Sequence, residues 1–194
     1  MDITLEKKHE NKLTFLAEGI SPAFANVVRR YAMVHTPILA IDHVTFYENN
    51  SAVFDEYLAH RMGLLPLTTP NKTPASAEIS FRLDETGPAM VYSESLKSSD
   101  KDITVGREKV PIITLAEDQH LRLEATARIG TGTEHAKFQA GLVSYSIDEK
   151  GIHFLVESFY QMTPQEVIVR GCDTLEKDLD ELDKAVKKAA GKKK

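Results

Sequence analysis

Cysteine is nearly absent from this chain, because Cys172 is the only one among 194 residues. One thiol excludes an internal disulfide, a CxxC redox pair and any zinc or iron–sulfur site that needs several cysteines. No apolar run approaches the roughly 20 residues of a membrane-spanning helix. The charged, alternating start MDITLEKKHENK is unlike a signal peptide. These absences predict a reduced, cytoplasmic protein without a membrane segment.

Charge of one sign is not in large excess either. The chain carries 24 Lys and Arg against 29 Asp and Glu, a formal net charge of −5, so it is a poor candidate for binding DNA phosphates by itself. Its apolar fraction of 42% and charged fraction of 27% are typical of a folded protein. Its length suits one large domain or two small ones. Only Gly191 and the three lysines after it are expected to fray.

The first 48 residues have the pattern of two strands, a helix and a third strand. Residues 2–20 alternate between apolar and polar types, as a hairpin does. Ser21 and Pro22 then supply an N-cap and a proline at the first helical position. The strand 38–48 follows Pro37 and is rich in β-branched and aromatic residues. The predicted helix has one apolar stripe, formed by Phe24, Val27, Val28, Tyr31 and Ala32.

The middle of the chain changes to short strands. A short helix is predicted over 53–62, where Gly63 is a typical C-cap. The loop 68–76 contains two prolines and no apolar pattern. The strands that follow are spaced as in a small β-rich domain. They are predicted at 77–84, 90–96, 110–115 and 120–129.

The end of the chain returns to a strand pair, which is followed by a long helix. Strands are predicted at 138–147 and 152–160. Thr163 and Glu166 form a capping box around Pro164, which marks a helix start. Apolar residues then recur in an unbroken seven-residue pattern, so this seam is expected to pack lengthwise along another helix. The seam consists of Ile168, Cys172, Leu175, Leu179, Leu182, Val186 and Ala189.

Together the elements predict an α+β fold. One domain split between 1–48 and 149–194, an antiparallel sheet with two packing helices, would be interrupted by a β-rich insert domain at 49–148. Within the long helix, Gly171 weakens the first turns, so we expect a bend near it. Cys172 lies on the seam, where a buried and inert thiol is expected.

The sequence contains no recognisable catalytic pattern. The seven histidines lie far apart, and no two of them have the spacing of metal ligands. The glycine-rich segment 130–133 lacks the lysine and the strand-to-helix context of a phosphate loop. No serine lies in a nucleophile elbow. We therefore predict neither catalytic residues nor metal ligands.

Three segments could instead face a partner. Asn26, Arg29 and Arg30 place two arginines on an amphipathic helix, and arginine is enriched at interfaces. Residues 60–67 join a charged helix end to an apolar run, and residues 134–138 place basic side chains between a loop and a strand. Taken singly, each segment is more typical of a solvated face or a core element than of a binding site.

Taken in order along the chain, however, these segments resemble one family. They are similar to the D-type, alpha-like component of archaeal DNA-directed RNA polymerase and to its eukaryotic counterpart, the third-largest polymerase subunit, which are relatives of bacterial alpha. The resemblance covers almost the whole chain. The matching stretches are ANVVRR (25–30), ILAID (38–42), AHRMGLLPL (59–67), HAKF (135–138) and VIVRG (167–171).

The resemblance implies a non-catalytic subunit that serves as an assembly platform in transcription. It would form a heterodimer with the small subunit L and dock the large catalytic subunits and the small zinc-bearing subunits, reaching DNA only through the complex. The implied dimer interface consists of Phe24, Val27, Val28, Tyr31, Ile168, Leu175, Leu179, Leu182 and Val186. The implied assembly contacts are Asn26, Arg29, Arg30, His60, Arg61, His135 and Lys137.

The resemblance also bears on cofactors. Many archaeal relatives carry a cysteine-rich ferredoxin-like domain between the two strands that here flank 148–151, and eukaryotic relatives hold zinc in the insert. In this chain a tight turn joins those two strands, and the segment that corresponds to the insert, 49–148, has no cysteine. We therefore expect a short member of the family without iron–sulfur cluster or zinc. Two other hypotheses stay open: a homodimeric, alpha-like adaptor that uses the same helices, and an orphan hydrolase with a substrate pocket in the insert.

Overall fold

The computed structural model of the chain describes residues 1–191. The expected fraying of lysines 192–194 lies outside the described residues, whereas Gly191, also expected to fray, is the last residue of a helix. The fold is α+β, as predicted, and its contacts define two compact units. The first unit contains 1–36, 139–158 and the chain from 163 onward, and the second contains 37–138 and 159–162. In chain order the elements are β1 (Asp2–Lys8), β2 (Lys12–Glu18), α1 (Pro22–Arg30), β3 (Ile38–Asn49), α2 (Asp55–Gly63), β4 (Glu78–Thr86), β5 (Ala89–Tyr92), β6 (Lys97–Ser98), β7 (Pro111–Leu115), β8 (His120–Gly130), β9 (Gly141–Ile147), β10 (Ile152–Ser158) and α3 (Pro164–Gly191).

The first unit is an antiparallel sheet in the order β1-β2-β10-β9, accompanied by α1 and α3. The predicted hairpin is confirmed, with a register shift between Leu5 and Lys7. Phe15 of β2 is the cross-strand neighbour of Phe154 in β10, and their rings stack with centroids 4.9 Å apart. β2 is largely buried, whereas every residue of β1 is exposed.

Both helices of the first unit begin where the capping residues predict. The hydroxyl of Ser21 accepts a hydrogen bond from the backbone N–H of Phe24 at 3.2 Å. At the start of α3 the backbone N–H of Thr163 donates to the Glu166 carboxylate at 2.9 Å, and the Glu166 N–H donates to the Thr163 hydroxyl at 3.3 Å. The capping box is therefore confirmed, because each residue satisfies a backbone donor of the other.

Gly171 allows a close approach between α3 and the π turn Tyr31–His35 that follows α1. α3 continues through Gly171 as one helix, and the residue is buried. A Cβ atom there would lie 2.6 Å from the Cα of Ala32. The glycine thus costs helix propensity but permits backbone-to-backbone packing that any larger residue would obstruct.

The second unit contains a sheet in the order β3-β8-β4-β6 and a smaller pair, β5-β7. Its core receives Leu58 and Met62 from α2 and Phe81 from β4, all fully buried. The predicted alternation of β8 is confirmed over most of the strand, although Ile129 is only half-buried. The buried residues of β8 are Leu121, Leu123, Ala125 and Ala127. Most other predicted elements are present with ends shifted by a few residues, but the strand predicted at 90–96 ends at Tyr92, where a 3₁₀ helix (Ser93–Ser95) follows, and the short β6 was not predicted.

The placement of β3 and the exposure of Cys172 differ from expectation. The strand predicted at 38–48 belongs by its place in the chain to the first block, but β3 pairs with β8 along its length and so lies in the second unit. The predicted domain limits, 1–48 and 149–194 around 49–148, stay a prediction, since compact units and evolutionary domains need not share boundaries.

The expectation of a buried Cys172 is wrong, because this side chain is exposed. Desolvation and then Asp173 raise the pKa of its thiol.

Candidate docking surfaces

The first unit has an open apolar groove of about 390 Å³ on the side formed by β1, β2, α1 and α3. Several of its apolar side chains remain well exposed, including Ile3 at 55%, Phe24 at 44% and Val169 at 56%. Large side chains left in water this way are typical of surfaces that bind a partner. The groove is lined by Met1, Ile3, Leu5, Leu13, Phe15, Ala17, Ile20, Phe24, Val28, Phe154, Gln165, Ile168, Val169 and Cys172.

The apolar seam of α3 continues beyond this groove toward the end of the helix. Leu179, Leu182 and Val186 are 55%, 59% and 57% exposed. A seven-residue apolar pattern is typical of a helix that packs lengthwise along another helix. Within residues 1–191, no element covers these three side chains. We call Leu179, Leu182 and Val186 the outer seam.

The predicted dimer interface is therefore divided by the structure. Phe24, Val28 and Ile168 line the groove, and Val27 is 38% exposed beside Phe24 on α1. The remaining members lie along α3, apart from Tyr31. Leu175 is half-buried and the outer seam is exposed.

Tyr31 is bound within the first unit. Its hydroxyl donates a hydrogen bond to the Asp178 carboxylate at 2.9 Å, which links the π turn to α3. Its ring stacks on His35 with centroids 4.3 Å apart. The hydrogen bond to Asp178 raises the pKa of the Tyr31 hydroxyl. Tyr31 therefore helps to fix the angle of the helix that carries the outer seam.

Sequence reasoning missed the contribution of β1 and of Val169 to the groove. Ile3 and Leu5 alternate with polar residues, which indicates a strand with one apolar face but does not say whether that face is covered. Val169 follows Ile168 directly and lies outside the seven-residue pattern. A wider apolar stripe on the first turns of α3 was the signal that could have identified it.

The second unit contains a compact charge cluster around Asp42 of β3. The Lys137 ammonium lies 2.6 Å from Oδ1 of Asp42, and Nε of Arg128 lies 3.0 Å from Oδ2. Arg128 also bridges to Glu134 at 3.0 Å. The Asp42 and Lys137 side chains are only 16% and 15% exposed. The hydrogen bond from Lys137, supported by Arg128, outweighs desolvation and lowers the pKa of Asp42 to about 2.

A small pocket of about 150 Å³ lies beside this cluster. It brings together three of the sequence segments, namely 38–42, 59–67 and 135–138. The pocket is lined by Ile41, Asp42, Val44, Ala59, His60, Gly63, Leu64, His135 and Lys137.

The predicted assembly contacts fall into two groups. In the first unit, Asn26 accepts hydrogen bonds from Arg29 at 3.2 and 3.0 Å, whereas Arg30 is exposed. In the second unit, a terminal nitrogen of Arg61 donates to the Pro111 carbonyl at 2.6 Å. The other three members of the prediction are His60, His135 and Lys137, of which the histidines are exposed.

Neither a metal centre nor a membrane-spanning helix is found in residues 1–191. No group of three or more His, Cys, Asp and Glu side chains in this range is arranged to hold a metal ion. No helix in this part of the chain is both long and apolar enough to cross a membrane.

Comparison with known proteins identifies what this chain is similar to. Residues 44–148 match the RNA polymerase Rpb3/RpoA insert domain. The chain is 43% identical over 141 residues to DNA-directed RNA polymerase subunit Rpo3 of Halobacterium salinarum, covering 73% of this chain and 57% of the relative. It is 42% identical over 150 residues to Rpo3 of Pyrococcus horikoshii, covering 74% and 58%. It is 34% identical over 199 residues to Rpo3 of Methanosphaera stadtmanae, covering 90% and 73%. The chain thus spans less than two thirds of the length of the first two relatives.

Proposed function

Because the chain belongs to the Rpo3 family of DNA-directed RNA polymerase subunits, we propose that it is a non-catalytic assembly platform in such a polymerase. Its first unit would pair with the small subunit L, and the pair would dock the large catalytic subunits. The observation that carries this proposal is the apolar groove of the first unit, which continues on α3 into the outer seam. Burial of such side chains is the main favourable term in protein association.

The residues proposed for each contact follow from their exposure. The dimer contact would use the groove together with the outer seam. The pocket beside Asp42 would receive a large subunit, with His60 and His135 at its exposed rim. Arg30 would serve the same docking role on the first unit. Contact with DNA would come only through the complex, since the chain has a net charge of −5.

We further propose that the chain works in the cytoplasm and without a cofactor of its own. Its only cysteine is exposed in the groove rather than gathered with other ligands. A single thiolate cannot supply the four ligands of a structural zinc or an iron–sulfur cluster.

The test is the mass of the chain in solution, alone and co-expressed with an L-type small subunit from the same genome. Size exclusion with light scattering should give a one-to-one complex. The double variant Leu179→Asp/Leu182→Asp should abolish it, because two charges would be buried without partners. Leu142→Asp is the matched control, since Leu142 is 47% exposed on β9 and lies outside the groove.

The outcomes separate the hypotheses. A complex that survives L142D and is lost in the double variant supports the platform. A chain that forms a stable dimer with itself and ignores the small subunit would favour the homodimeric adaptor. A monomer that binds neither would contradict the proposal.

A further inference from the structure

The outer seam of α3 is flanked on both sides by acidic residues. In the seven-residue pattern the positions beside the seam are Glu176 and Asp183 on one side and Asp178 and the uncharged Ala185 on the other. At 3.6 residues per turn these side chains lie roughly 70–90° from the line of the seam. This is the zone that meets the flank of a partner helix when two apolar seams pack together.

The lysines of the same segment are placed differently. Lys177 and Lys184 lie roughly 170° from the seam, on the opposite face of the helix. Lys187 lies roughly 110° away, and its ammonium forms an ion pair with Asp183 at 2.6 Å. Lys187 therefore reduces the negative charge of one flank residue, but no basic residue occupies a flank position along 176–186.

The acidic flanks oppose pairing between two copies of this chain. In a parallel pair, Asp178 of one copy would face Asp183 of the other, five residues further on. In an antiparallel pair, like flanks would face each other, so acid would again meet acid. Like charges at such positions repel, so both arrangements are disfavoured.

We infer that the outer seam selects a helix of a different protein, one with an apolar seam flanked by lysine or arginine. This inference rests on the proposed function and adds the charge of the partner and the exclusion of self-pairing. The Asp178 carboxylate is held at 2.9 Å by the Tyr31 hydroxyl of the chain's own π turn, so Glu176 and Asp183 form the flank on which the selection is tested. The apolar side chains supply most of the affinity, and the flanking charges decide which helix is accepted.

The experiment measures the affinity of the full-length chain for the co-expressed L-type subunit, re-purified and titrated by calorimetry. The test variant is Glu176→Lys/Asp183→Lys, which reverses one flank and leaves Asp178 and Tyr31 unchanged. The control is Asp180→Lys/Glu181→Lys, which changes the net charge equally at positions roughly 130° from the seam. Helix content by circular dichroism checks that both variants fold.

Reversal replaces attractions with repulsions at two positions, so we expect the test variant to bind at least about ten-fold more weakly. The control should stay within about three-fold of the wild type. Raising NaCl from about 0.1 M to about 1 M shortens the Debye length from about 10 Å to about 3 Å. This should weaken the wild-type complex and bring its affinity closer to that of the test variant.

Equal losses in the test and control variants would overturn the inference, as would a wild-type complex that is insensitive to salt. Self-association of the wild-type chain as strong as its binding to the small subunit would also overturn it. These results leave the platform intact, because a complex still forms. If no complex forms at all, the proposed function fails and the inference fails with it.

Discussion

Gly171→Ala is the substitution in which two physical effects have opposite signs. Alanine is the better helix former, and the exchange in a helix interior is worth about 1 kcal/mol in its favour. Gly171, however, is buried where α3 meets the π turn. A Cβ atom would lie 2.6 Å from Cα and 2.7 Å from the backbone nitrogen of Ala32.

The steric clash with Ala32 should outweigh the gain in helix propensity. The atoms it meets belong to the backbone, so no side-chain rotation can relieve it, and α3 must move away from the turn. Overpacking of this kind typically costs about 1–3 kcal/mol, and separating the helices also loosens the packing around Ala32, which is fully buried. Because the clash is with backbone atoms, we expect a cost at the upper end of that range, about 3 kcal/mol, which leaves a net loss of about 2 kcal/mol after the gain in helix propensity is deducted.

Urea unfolding followed by far-ultraviolet circular dichroism measures the difference. In a thermal scan the same loss lowers Tm by roughly 2–4 °C per kcal/mol for a chain of this size. Gly191→Ala is the matched control, because nothing lies within 4 Å of a Cβ at that position. Its stability should stay within about 0.5 kcal/mol of the wild type. A Gly171→Ala protein as stable as the wild type would refute the close-approach argument.

Three further predictions concern charge and metal content. Asp42→Asn should lower the free energy of unfolding by about 2 kcal/mol at neutral pH, since the Asp42 pKa falls from 3.8 to about 2 on folding; urea midpoints should show this loss above pH 4 and a shrinking difference as the pH falls toward 2. His153 lies 2.8 Å from Glu6 and 2.9 Å from Asp148, and although desolvation lowers its pKa, the two carboxylates raise it overall. The ion pairs of protonated His153 should therefore stabilise the fold fully below pH 6.5, and this stabilisation should be lost as pH rises through the raised pKa. An NMR titration of the ring protons can follow the deprotonation of His153. In the His153→Gln variant the pH-dependent loss of stability should be absent. Elemental analysis of the purified complex of this chain with the L-type subunit should find no zinc or iron bound in proportion to this chain. A stoichiometric metal that survives dialysis and requires Cys172 would contradict the proposal that the chain has no cofactor of its own.

Much of the fold could be predicted because local rules and tertiary packing agree. The capping box at Thr163 and Glu166 is such a case, since its two hydrogen bonds form between residues three apart and need no knowledge of the rest of the chain. The alternation of β8 is another, because a sheet with one covered face imposes period two on its residues. Where long-range pairing decides, local pattern is insufficient. β3 comes soon after the first helix and its π turn, yet it pairs with β8, about 80 residues later.

Periodicity identifies which side of an element is apolar, but it does not identify what covers that side. Cys172 shares the seam with Leu175, and the same seven-residue pattern that predicted burial is also compatible with an apolar face that no other part of residues 1–191 covers. β1 illustrates the same limit, since Ile3 and Leu5 alternate correctly and are both more than half exposed. The apolar groove could not be predicted as open, because only the three-dimensional packing decides whether an apolar face meets another part of the same chain.

Charged segments are ambiguous in a similar way, because a sequence does not show whether a charged side chain is bound within its own chain or exposed. The structure distinguishes the two cases. Lys137 belongs to a stretch that the family resemblance assigns to assembly, but its ammonium is bound to Asp42 and mostly buried. Changing Lys137 would leave Arg128 as the cation shared by the two carboxylates of Asp42 and Glu134, so its effect on assembly would come through the stability of the second unit. His60 and His135 line the same pocket and are exposed, so substitutions there can alter docking while the fold stays intact. The effect of changing a residue matched to a family motif should therefore be measured on stability and on binding separately. The motif alone does not show whether the charge of that residue stabilises the fold or contacts a partner.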